Sequence, residues 1–556
     1  MSDKNDKANS NYPPVKGRLL DFFANNIQPN LIEFRQSRDI VIWSIALIVG
    51  LCAAYAALAL RILIGWIQLP WLGTTSDNVF EAALQQPWYI ILAAPTIGGL
   101  LVGLLLHYFV PDKRSHGVAD VIEAQAIRQS KISLRDGLKS ALVAALSLGA
   151  GASAGREGPV VHLGASIASW LEDRFSLPQS ARRTLLACGV AAAVSASFNV
   201  PLAGVLFAHE VILGHYALRA FVPIAISSAL GAMIVRTHLG NFPAFIIPEY
   251  SISSNWEFPV FALLGLVCAI VAILFQLMLV GADRFSRGID MPLWLRPVVG
   301  GFLIGSMAIY FPQILGVGYD ATDAALKQQF SFSLLLMLLL FKALATSITL
   351  ASRFGGGVFS PSLYLGAMAG GAFGLLVSAV FPLWASSHGL YAITGMGAVA
   401  ASILGAPIST ILIAFELTGD YNVAISLLIA VSISTSLHHA FLGQSFFHWQ
   451  LTSRGLFLND GPHRYILHTL KVGQFMTPLE EGEDSRFNPQ DEDEFPWLPL
   501  SATIEQALRA FDRTGLDRIP VIDHHQPELI AGWALKIDAL HHYNQALIDA
   551  HVEHHR

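Results

Sequence analysis

The residues best suited to do chemistry lie in a glycine-rich stretch, residues 151–159, with the sequence GASAGREGP. It places Arg156 and Glu157 between two long apolar runs, and therefore at membrane depth. An ionisable residue there is costly and by default marks an ion pathway or a proton relay. Pro159 suits the first turn of a helix, whose exposed amides and positive dipole end attract anions. The stretch predicts an anion site at a helix N-terminus, in an irregular loop that protein or a water-filled cavity must surround.

The same stretch contains the pattern G-x-S-x-G around Ser153, which is also the pattern of a serine hydrolase elbow. That elbow needs a strand before it, a helix after it, a histidine and an oxyanion hole. Both flanks here are apolar and helix-like, and a short glycine motif often occurs by chance. No P-loop lysine follows a glycine run and no HExxH occurs. We therefore expect a transport protein and not an enzyme, with an intramembrane serine hydrolase as the remote alternative.

Composition places the chain among membrane proteins. It has 556 residues, of which 53% are hydrophobic and 13% charged, and its mean hydropathy is +0.52. The formal charge of −6 argues against a nucleic-acid partner. The three cysteines, Cys52, Cys188 and Cys268, lie in apolar runs without metal-binding spacing, which predicts buried small side chains and no metal site. Residues 1–38 are polar and contain no signal-peptide core, so we expect a cytoplasmic N-terminus.

Glycine and proline interrupt the apolar part of the chain at corresponding positions. Several of its segments are shorter than the roughly 20 residues that span a bilayer. Such a pattern in two halves predicts an inverted repeat with a binding site at the midplane, and the halves are placed near 39–236 and 257–442. The glycine loop 355–361, which ends in Pro361, corresponds to 155–159. The apolar segments are predicted at about 39–69, 88–110, 136–150, 160–172, 184–213, 219–236, 257–282, 296–313, 332–351, 357–382, 390–417 and 422–442.

Composition becomes polar after about Leu456. Acidic runs at 480–484 and 491–494 indicate a solvated loop. Beyond them the pattern predicts a helix over 503–514, capped by Ser501 or Thr503, and then strands over 518–523 and 529–535. This indicates a small α/β module.

These motifs resemble those of the CLC chloride channels and proton-coupled chloride transporters. Residues 155–159 are identical to the family's GREGP motif, and 357–361 (GVFSP) are similar to its GxFxP motif. Residues 199–207 and 395–398 also resemble family segments. The resemblance covers about residues 35–455 in the family's order. The tail, over 476–478 and then 504–540, is similar to a CBS domain.

The resemblance implies an all-α polytopic membrane protein, an inverted repeat with broken and re-entrant helices over 39–455. A small cytoplasmic CBS-like α/β domain would follow over 456–556. It also implies a homodimer in the bilayer, with one pathway per subunit for chloride or another small anion. We expect a bacterial inner-membrane location with both termini cytoplasmic. We expect no cofactor, apart from a possible adenine nucleotide at the CBS-like domain.

Glu157 matches the family's gating glutamate. Its carboxylate would mimic an anion in the pathway, and protonation or an entering anion would displace it. The alternative is a structural ion pair between Glu157 and Arg156 or another residue. The anion itself would be held by backbone amides at helix N-termini. The anion-binding positions implied by the resemblance are His116, Gly117, Arg156, Gly158, Val358, Phe359 and Phe447.

His116 is one departure from the family pattern, because it stands where an anion-binding serine is usual. A neutral imidazole still donates one N–H, and a protonated one would bind anions more strongly. The preference for chloride over other anions is therefore open. A capping or merely packed histidine is the alternative.

Two further departures concern the proton route and the inner gate. Val211 occupies the position of the proton-entry glutamate of family antiporters, and valine carries no proton. His209 is adjacent but would face elsewhere on a helix. Phe447, or His448 if a gap is allowed, replaces the tyrosine of the inner gate. These departures favour channel-like anion movement uncoupled from protons, with a proton-coupled chloride antiporter as the alternative.

Overall fold

The computed structural model describes residues 39–175, 177–240, 257–382, 386–418, 421–457, 467, 470–479, 496–523 and 526–555. The polar N-terminus, most of the connector between the halves and the acidic runs of the tail lie outside these residues.

The first half of the membrane domain is helical. Its apolar residues are packed into two hydrophobic clusters that extend across the helices. Its elements are α1 (Asp39–Leu72), α2 (Val79–Ala83), α3 (Trp88–Phe109), α4 (Val118–Ala126), α5 (Leu134–Gly149), α6 (Glu157–Glu172), α7 (Gln179–Phe198), α8 (Pro201–Phe207), a π-helical turn (Ala208–Leu213) and α9 (Leu218–Leu239).

The second half repeats this helical pattern and shares the larger of the two clusters. Its elements are α10 (Phe258–Gly288), α11 (Arg296–Ala308), a 3₁₀ turn (Pro312–Ile314), α12 (Tyr319–Leu326), α13 (Phe332–Ala351), α14 (Phe359–Val380), α15 (His388–Leu404), α16 (Pro407–Thr418), α17 (Tyr421–Leu442) and α18 (Phe446–Thr452).

Within the described residues, seven helical spans are long and apolar enough to cross a membrane. The remaining helices of the two halves are shorter or less apolar, as expected for broken helices buried among the long ones. The chain is thus a mostly helical membrane protein, as predicted.

Two predicted apolar segments are each divided into two helices. The segment predicted over 184–213 breaks at Asn199, and that over 390–417 breaks at Gly405. Both residues adopt left-handed backbone (φ 62° and 67°), which ends a helix. A proline two residues later, Pro201 or Pro407, starts the next helix. Apolar periodicity alone does not detect such breaks, because the residues on both sides stay hydrophobic.

The short helices α8 and α16 cap one another reciprocally. Glu210, in the π-helical turn after α8, accepts hydrogen bonds from the amides of Ile408 and Ser409 at 3.0 and 2.7 Å. Glu416, near the end of α16, accepts from the two amides that follow Pro201 at 2.9 and 2.8 Å. Each carboxylate therefore satisfies a helix N-terminus of the other half, which has no acceptor of its own.

The C-terminal region has a separate hydrophobic core. Its sheet has the strand order β1-β4-β3-β2, in which β2 pairs with β3 in parallel and the other pairs are antiparallel. Thr503, one of the two residues predicted as a cap, caps the helix Ile504–Thr514 through a capping box with Gln506. The elements are a 3₁₀ turn (Val472–Gln474), β1 (Thr477–Pro478), β2 (Leu498–Pro499), α19 (Ile504–Thr514), β3 (Arg518–Asp523), β4 (Gln526–Leu535) and α20 (Lys536–His555).

Candidate functional site

The two glycine motifs of the sequence meet at one point. The amide of Gly155 donates to the carbonyl of Gly357, and the amide of Gly357 donates to the carbonyl of Gly155, both at 2.8 Å. This isolated antiparallel bridge joins the halves immediately before α6 and α14 begin. Pro159 and Pro361 are each the third residue of their helix, where the missing N–H leaves no acceptor unpaired. Two helix N-termini therefore converge on the bridge.

The backbone of Gly155 lies close to the Glu157 side chain. A Cβ on Gly155 would lie 2.4 Å from Glu157 Oε2 and 3.1 Å from the amide nitrogen of Ser360. Real Cβ atoms do not approach other atoms so closely. The glycine therefore makes room for the carboxylate beside the first turn of α14.

The Glu157 side chain is buried and turned toward the second half. Its Oε1 accepts hydrogen bonds from the Tyr319 hydroxyl at 2.6 Å and the Ser360 hydroxyl at 2.5 Å. Its Oε2 is buried and has no hydrogen-bond partner among the described residues. One carboxylate oxygen is thus firmly held, while the other lies without a donor at the meeting point of the helices.

Arg156 forms its ion pair elsewhere, so the alternative of an Arg156–Glu157 pair is wrong for this arrangement. Its guanidinium lies 3.4 Å from an oxygen of Asp77 and over the ring of Tyr319, 5.0 Å from the centroid. Asp77 also pairs with Arg61 at 2.8 Å. Burial by itself would raise the pKa of the Asp77 carboxyl, but the two guanidinium groups hold it below its usual value. Arg156 therefore secures the loop before α2 and the ring that contacts Glu157.

A cavity of about 480 Å³, here called the vestibule, borders the junction at which the N-termini of α6 and α14 meet. Its lining brings together six of the predicted anion-binding positions and leaves out Arg156 and Val211. The first-turn amides of α6 and α14 have no acceptor within their helices and are available to an anion. The six positions are His116, Gly117, Gly158, Val358, Phe359 and Phe447.

Charged residues surround the rest of the vestibule, with five basic against three acidic side chains. Asp120 accepts from Arg114 at 2.6 Å and from Arg454 at 2.8 Å. Burial alone would raise the pKa of Asp120, but the Arg114 hydrogen bond and the charge of Arg454 hold it far below its usual value. The excess of positive charge raises the local concentration of anions.

The imidazole of His116 lies in the vestibule wall with both nitrogens engaged. Nδ1 lies 2.9 Å from Ser140 Oγ, and Nε2 lies 3.0 Å from Asp112 Oδ2. The ring stacks on His162 with 5.1 Å between centroids and 15° between planes. A neutral His116 can donate from only one nitrogen, so these contacts compete with any direct donation to an anion.

The predicted proton-entry position and the two candidates for the aromatic position lie in other elements. Val211 is buried in the π-helical turn, and the neighbouring His209 packs its ring against Tyr216 and Phe221. Phe447, in the first turn of α18, lines the vestibule. His448 Nδ1 instead contacts the hydroxyl of Ser445, before the start of the same helix. Of these two residues, Phe447 and not His448 therefore lines the vestibule.

The hydrolase alternative does not fit the surroundings of Ser153. The preceding element, α5, is a helix and not a strand. The Ser153 hydroxyl is buried and lies 3.5 Å from the hydroxyl of Thr346, with no histidine among its hydrogen-bond partners in the described part of the chain. A nucleophile elbow needs an exposed serine on a strand-to-helix turn with an adjacent base.

Sequence reasoning missed three residues of this site: Tyr319, Ser140 and His162. Tyr319 is 162 positions from Glu157 and belongs to no motif, so its contact with the carboxylate comes from the fold alone. His162 does carry a signal, because it is a histidine in an apolar helix five residues after Glu157.

Comparison with known proteins gives consistent matches. Residues 98–439 match the family model described as "Voltage gated chloride channel". The chain is 33% identical over 405 residues to a putative chloride channel protein ClcB-like of Ralstonia nicotianae, covering 71% of this chain and 93% of that protein. It is 29% identical over 425 residues to an H⁺/Cl⁻ exchange transporter ClcA of Cronobacter sakazakii, covering 74% and 88%. The crystal structure of a slow cyanobacterial Cl⁻/H⁺ antiporter matches with TM-score 0.66 at 23% identity, covering 75% of this chain and 98% of that one.

Proposed function

Because this chain belongs to the CLC family of chloride channels and transporters, we propose that it exchanges protons for chloride or another small anion. Anion transport across a membrane follows from the family itself. The coupling of this anion transport to protons is the further part of the proposal. The relatives named as H⁺/Cl⁻ exchange transporters support it better than they support the uncoupled pathway expected from Val211 and Phe447.

The observation that carries this proposal is the position of the Glu157 carboxylate. It is an anionic group held at the junction of two helix N-termini by Ser360 and Tyr319. An ionised carboxylate there competes with a diffusible anion for the same positive potential. Protonation removes that charge and weakens the hold of both donors. The same residue can therefore alternate between blocking the anion and carrying a proton.

The vestibule supplies the anion-binding part of the proposed exchange. Its positive lining attracts anions, and its inner end reaches the first-turn amides at Gly158, Val358 and Phe359. Backbone amides bind an anion without a full opposite charge, so the anion can also leave. We propose the six lining positions as the anion-binding residues, with Glu157 as the gate.

Uncoupled anion movement is the second candidate function, and two residues favour it. Val211 is a buried aliphatic residue at the position implied for proton entry. Phe447 lacks the hydroxyl donor of a tyrosine, which predicts a looser inner gate.

The experiment that separates the two candidates measures chloride and proton fluxes together from liposomes that contain the purified protein. Under an outward chloride gradient with the membrane potential clamped, an exchanger drives protons inward, and a pH gradient shifts the reversal potential. Glu157→Gln is the control that should keep anion flux and abolish proton flux. A wild-type reversal potential that stays at the chloride equilibrium value under every pH gradient would reject exchange and establish the second candidate.

Assembly, ligand and location are also proposals. We propose a homodimer with one pathway per subunit, tested by native mass spectrometry in detergent. We propose that the C-terminal region is CBS-like and binds an adenine nucleotide, which should raise the melting temperature of the purified protein. An inner-membrane location with both termini cytoplasmic is tested by protease protection in spheroplasts.

A further inference from the structure

Lys342 is a charged residue buried in the membrane domain without an ion-pair partner. It lies in the middle of α13, a helix long and apolar enough to span a membrane, and it is 0% exposed. No carboxylate of the described residues lies within ion-pair distance of its nitrogen. A buried ammonium group is costly unless other polar groups replace the water that it loses. The position of this lysine therefore calls for an explanation.

The ammonium group of Lys342 binds the chain between the 3₁₀ turn and α12, residues 314–318, here called the α12 loop. It donates to the carbonyl of Ile314 at 3.0 Å and to the carbonyl of Gly316 at 2.9 Å. It also lies over the ring of Tyr364, on α14, at 5.0 Å from the ring centroid. The backbone carbonyls and the ring replace the lost water, and in return the lysine ties the α12 loop to α13.

The α12 loop leads directly to the residue that holds the gate. Tyr319 is the first residue of α12, three positions after Gly316, and its hydroxyl donates to Glu157 Oε1 at 2.6 Å. The amide of Gly316 also donates to the carbonyl of Gly151, in the glycine-rich stretch that carries Glu157, at 3.3 Å. The loop is thus fixed to that stretch on one side and to Lys342 on the other.

The packing around Gly318, the last residue of the α12 loop, is tight. Its left-handed backbone (φ 86°) begins α12. A Cβ at this position would lie 3.1 Å from Lys342 Nζ and 2.8 Å from the ring of Tyr364, both closer than an ordinary Cβ contact. The lysine head therefore packs directly against the residue before Tyr319, and a change in the one displaces the other.

We propose that Lys342 is a positioning residue of the gate, which fixes the α12 loop so that the Tyr319 hydroxyl stays on the Glu157 carboxylate. This rests on the proposed function in one respect only, the role of Glu157 as the gate. Lys342 does not line the vestibule, so it acts through the loop and not on the anion. Hydrogen bonds weaken steeply as their distance and angle depart from the optimum, so a small displacement of the loop loosens the carboxylate.

The test is a double-mutant cycle on anion flux per folded protein in liposomes, with wild type, Lys342→Met, Tyr319→Phe and the double variant. Lys342→Met should raise the flux about twofold or more, the lower range for coupling within one hydrogen-bond network. In the Tyr319→Phe background the same substitution should leave the flux unchanged, because the hydroxyl that the lysine positions is absent. Unchanged or lowered flux in Lys342→Met, or the same factor in both backgrounds, would overturn the proposal.

Lys327→Met is the matched control. Lys327 lies at the other end of α12, is partly exposed and pairs with Asp323 at 2.5 Å. Its replacement removes a lysine beside the same helix without touching the α12 loop, and the flux should stay at the wild-type value.

Lys342→Gln decides the case if Lys342→Met does not fold. The glutamine amide keeps two N–H donors but has a shorter side chain and no charge. It should raise the flux in the same direction and, again, only while the Tyr319 hydroxyl is present; an equal factor in both backgrounds would overturn the proposal. A wild type without proton flux would reject exchange and leave this inference standing, because Lys342 acts on the hold of Glu157 and not on the proton.

Discussion

At the gate, one carboxylate oxygen of Glu157 has two donors and the other has none. This asymmetry means that the carboxylate is held by Tyr319 and Ser360 and by no basic side chain within ion-pair distance in the described residues. Hydrogen bonds to a charged group are stronger than those to a neutral one, so these two donors hold the carboxylate in place.

Tyr319→Phe should therefore raise anion flux. The substitution removes one of the two hydroxyl donors that hold the carboxylate in place, and a hydrogen bond to a charged group is worth about 1.5–3 kcal/mol. A carboxylate that is held less firmly gives way more readily to a diffusible anion. Anion flux from liposomes measures the change. Tyr310→Phe, at a tyrosine on the exposed surface, is the control, and an unchanged flux in Tyr319→Phe would show that its hydroxyl does not act on Glu157.

Residues within a glycine motif could be predicted from the sequence, whereas those supplied by distant segments could not. Gly158, Val358 and Phe359 lie where the motifs place them, because a helix N-terminus after a glycine loop is a local property. Tyr319 and Ser140 reach Glu157 and His116 only through tertiary packing, and nothing in their own neighbourhoods indicates that contact.

At the level of elements, the reciprocal capping of α8 and α16 holds the two halves together. Each short helix would otherwise leave its first amides unpaired in an apolar environment. The carboxylates of Glu210 and Glu416 satisfy those amides across the repeat boundary.

Glu210→Ala and Glu416→Ala should each destabilise the membrane domain, and by similar amounts. Each loses a charged acceptor for two backbone amides, which costs about 1–3 kcal/mol. Thermal unfolding in detergent measures the loss. Glu210→Gln, which keeps one acceptor oxygen, should lie between wild type and Glu210→Ala; equal midpoints for all three proteins would contradict the capping role.

The breaks at Asn199 and Gly405 are predictable from the sequence. Both carry the same local signal, a residue that tolerates left-handed backbone followed two positions later by proline. Apolar periodicity joined the helices on either side, although this signal was present in the sequence. The short strands β1 and β2 had no comparable signal, because two-residue strands depend on their partners.

At the level of the whole molecule, the ion pairs around the vestibule persist over a wide pH range. The pKa of Asp120 is lowered from its ordinary value of 3.8. A lowered carboxyl pKa contributes stability that is complete above the ordinary value and is lost as the pH falls through the folded-state value. Changes in activity between pH 5 and 8 therefore do not come from Asp120.

The difference in melting temperature between wild type and Asp120→Asn should consequently stay constant from pH 7 to about pH 4 and shrink only below it. Differential scanning fluorimetry over that range measures it. A difference that already disappears near pH 6 would mean that Arg114 and Arg454 do not hold the carboxyl in its charged form.

The C-terminal region has its own hydrophobic core, so we expect the pathway to work without it. A protein ending after Phe457 keeps Arg454 and all of the vestibule lining. Its anion flux in liposomes should stay within about twofold of the full-length value, as expected for independent domains. Loss of flux in a folded, truncated protein would show that the C-terminal region controls the pathway.

The bridge between Gly155 and Gly357 also has a consequence for the order of synthesis. Gly155 leaves the ribosome roughly 200 residues before its partner, which corresponds to about 10–40 s at common elongation rates. During that interval the first half must wait in the bilayer with the backbone groups beside Glu157 unpaired, at a cost of several kcal/mol for each group. In the nascent first half, these unpaired backbone groups are therefore exposed to recognition by membrane chaperones and quality-control proteases. The bridge to Gly357 then pairs these backbone groups.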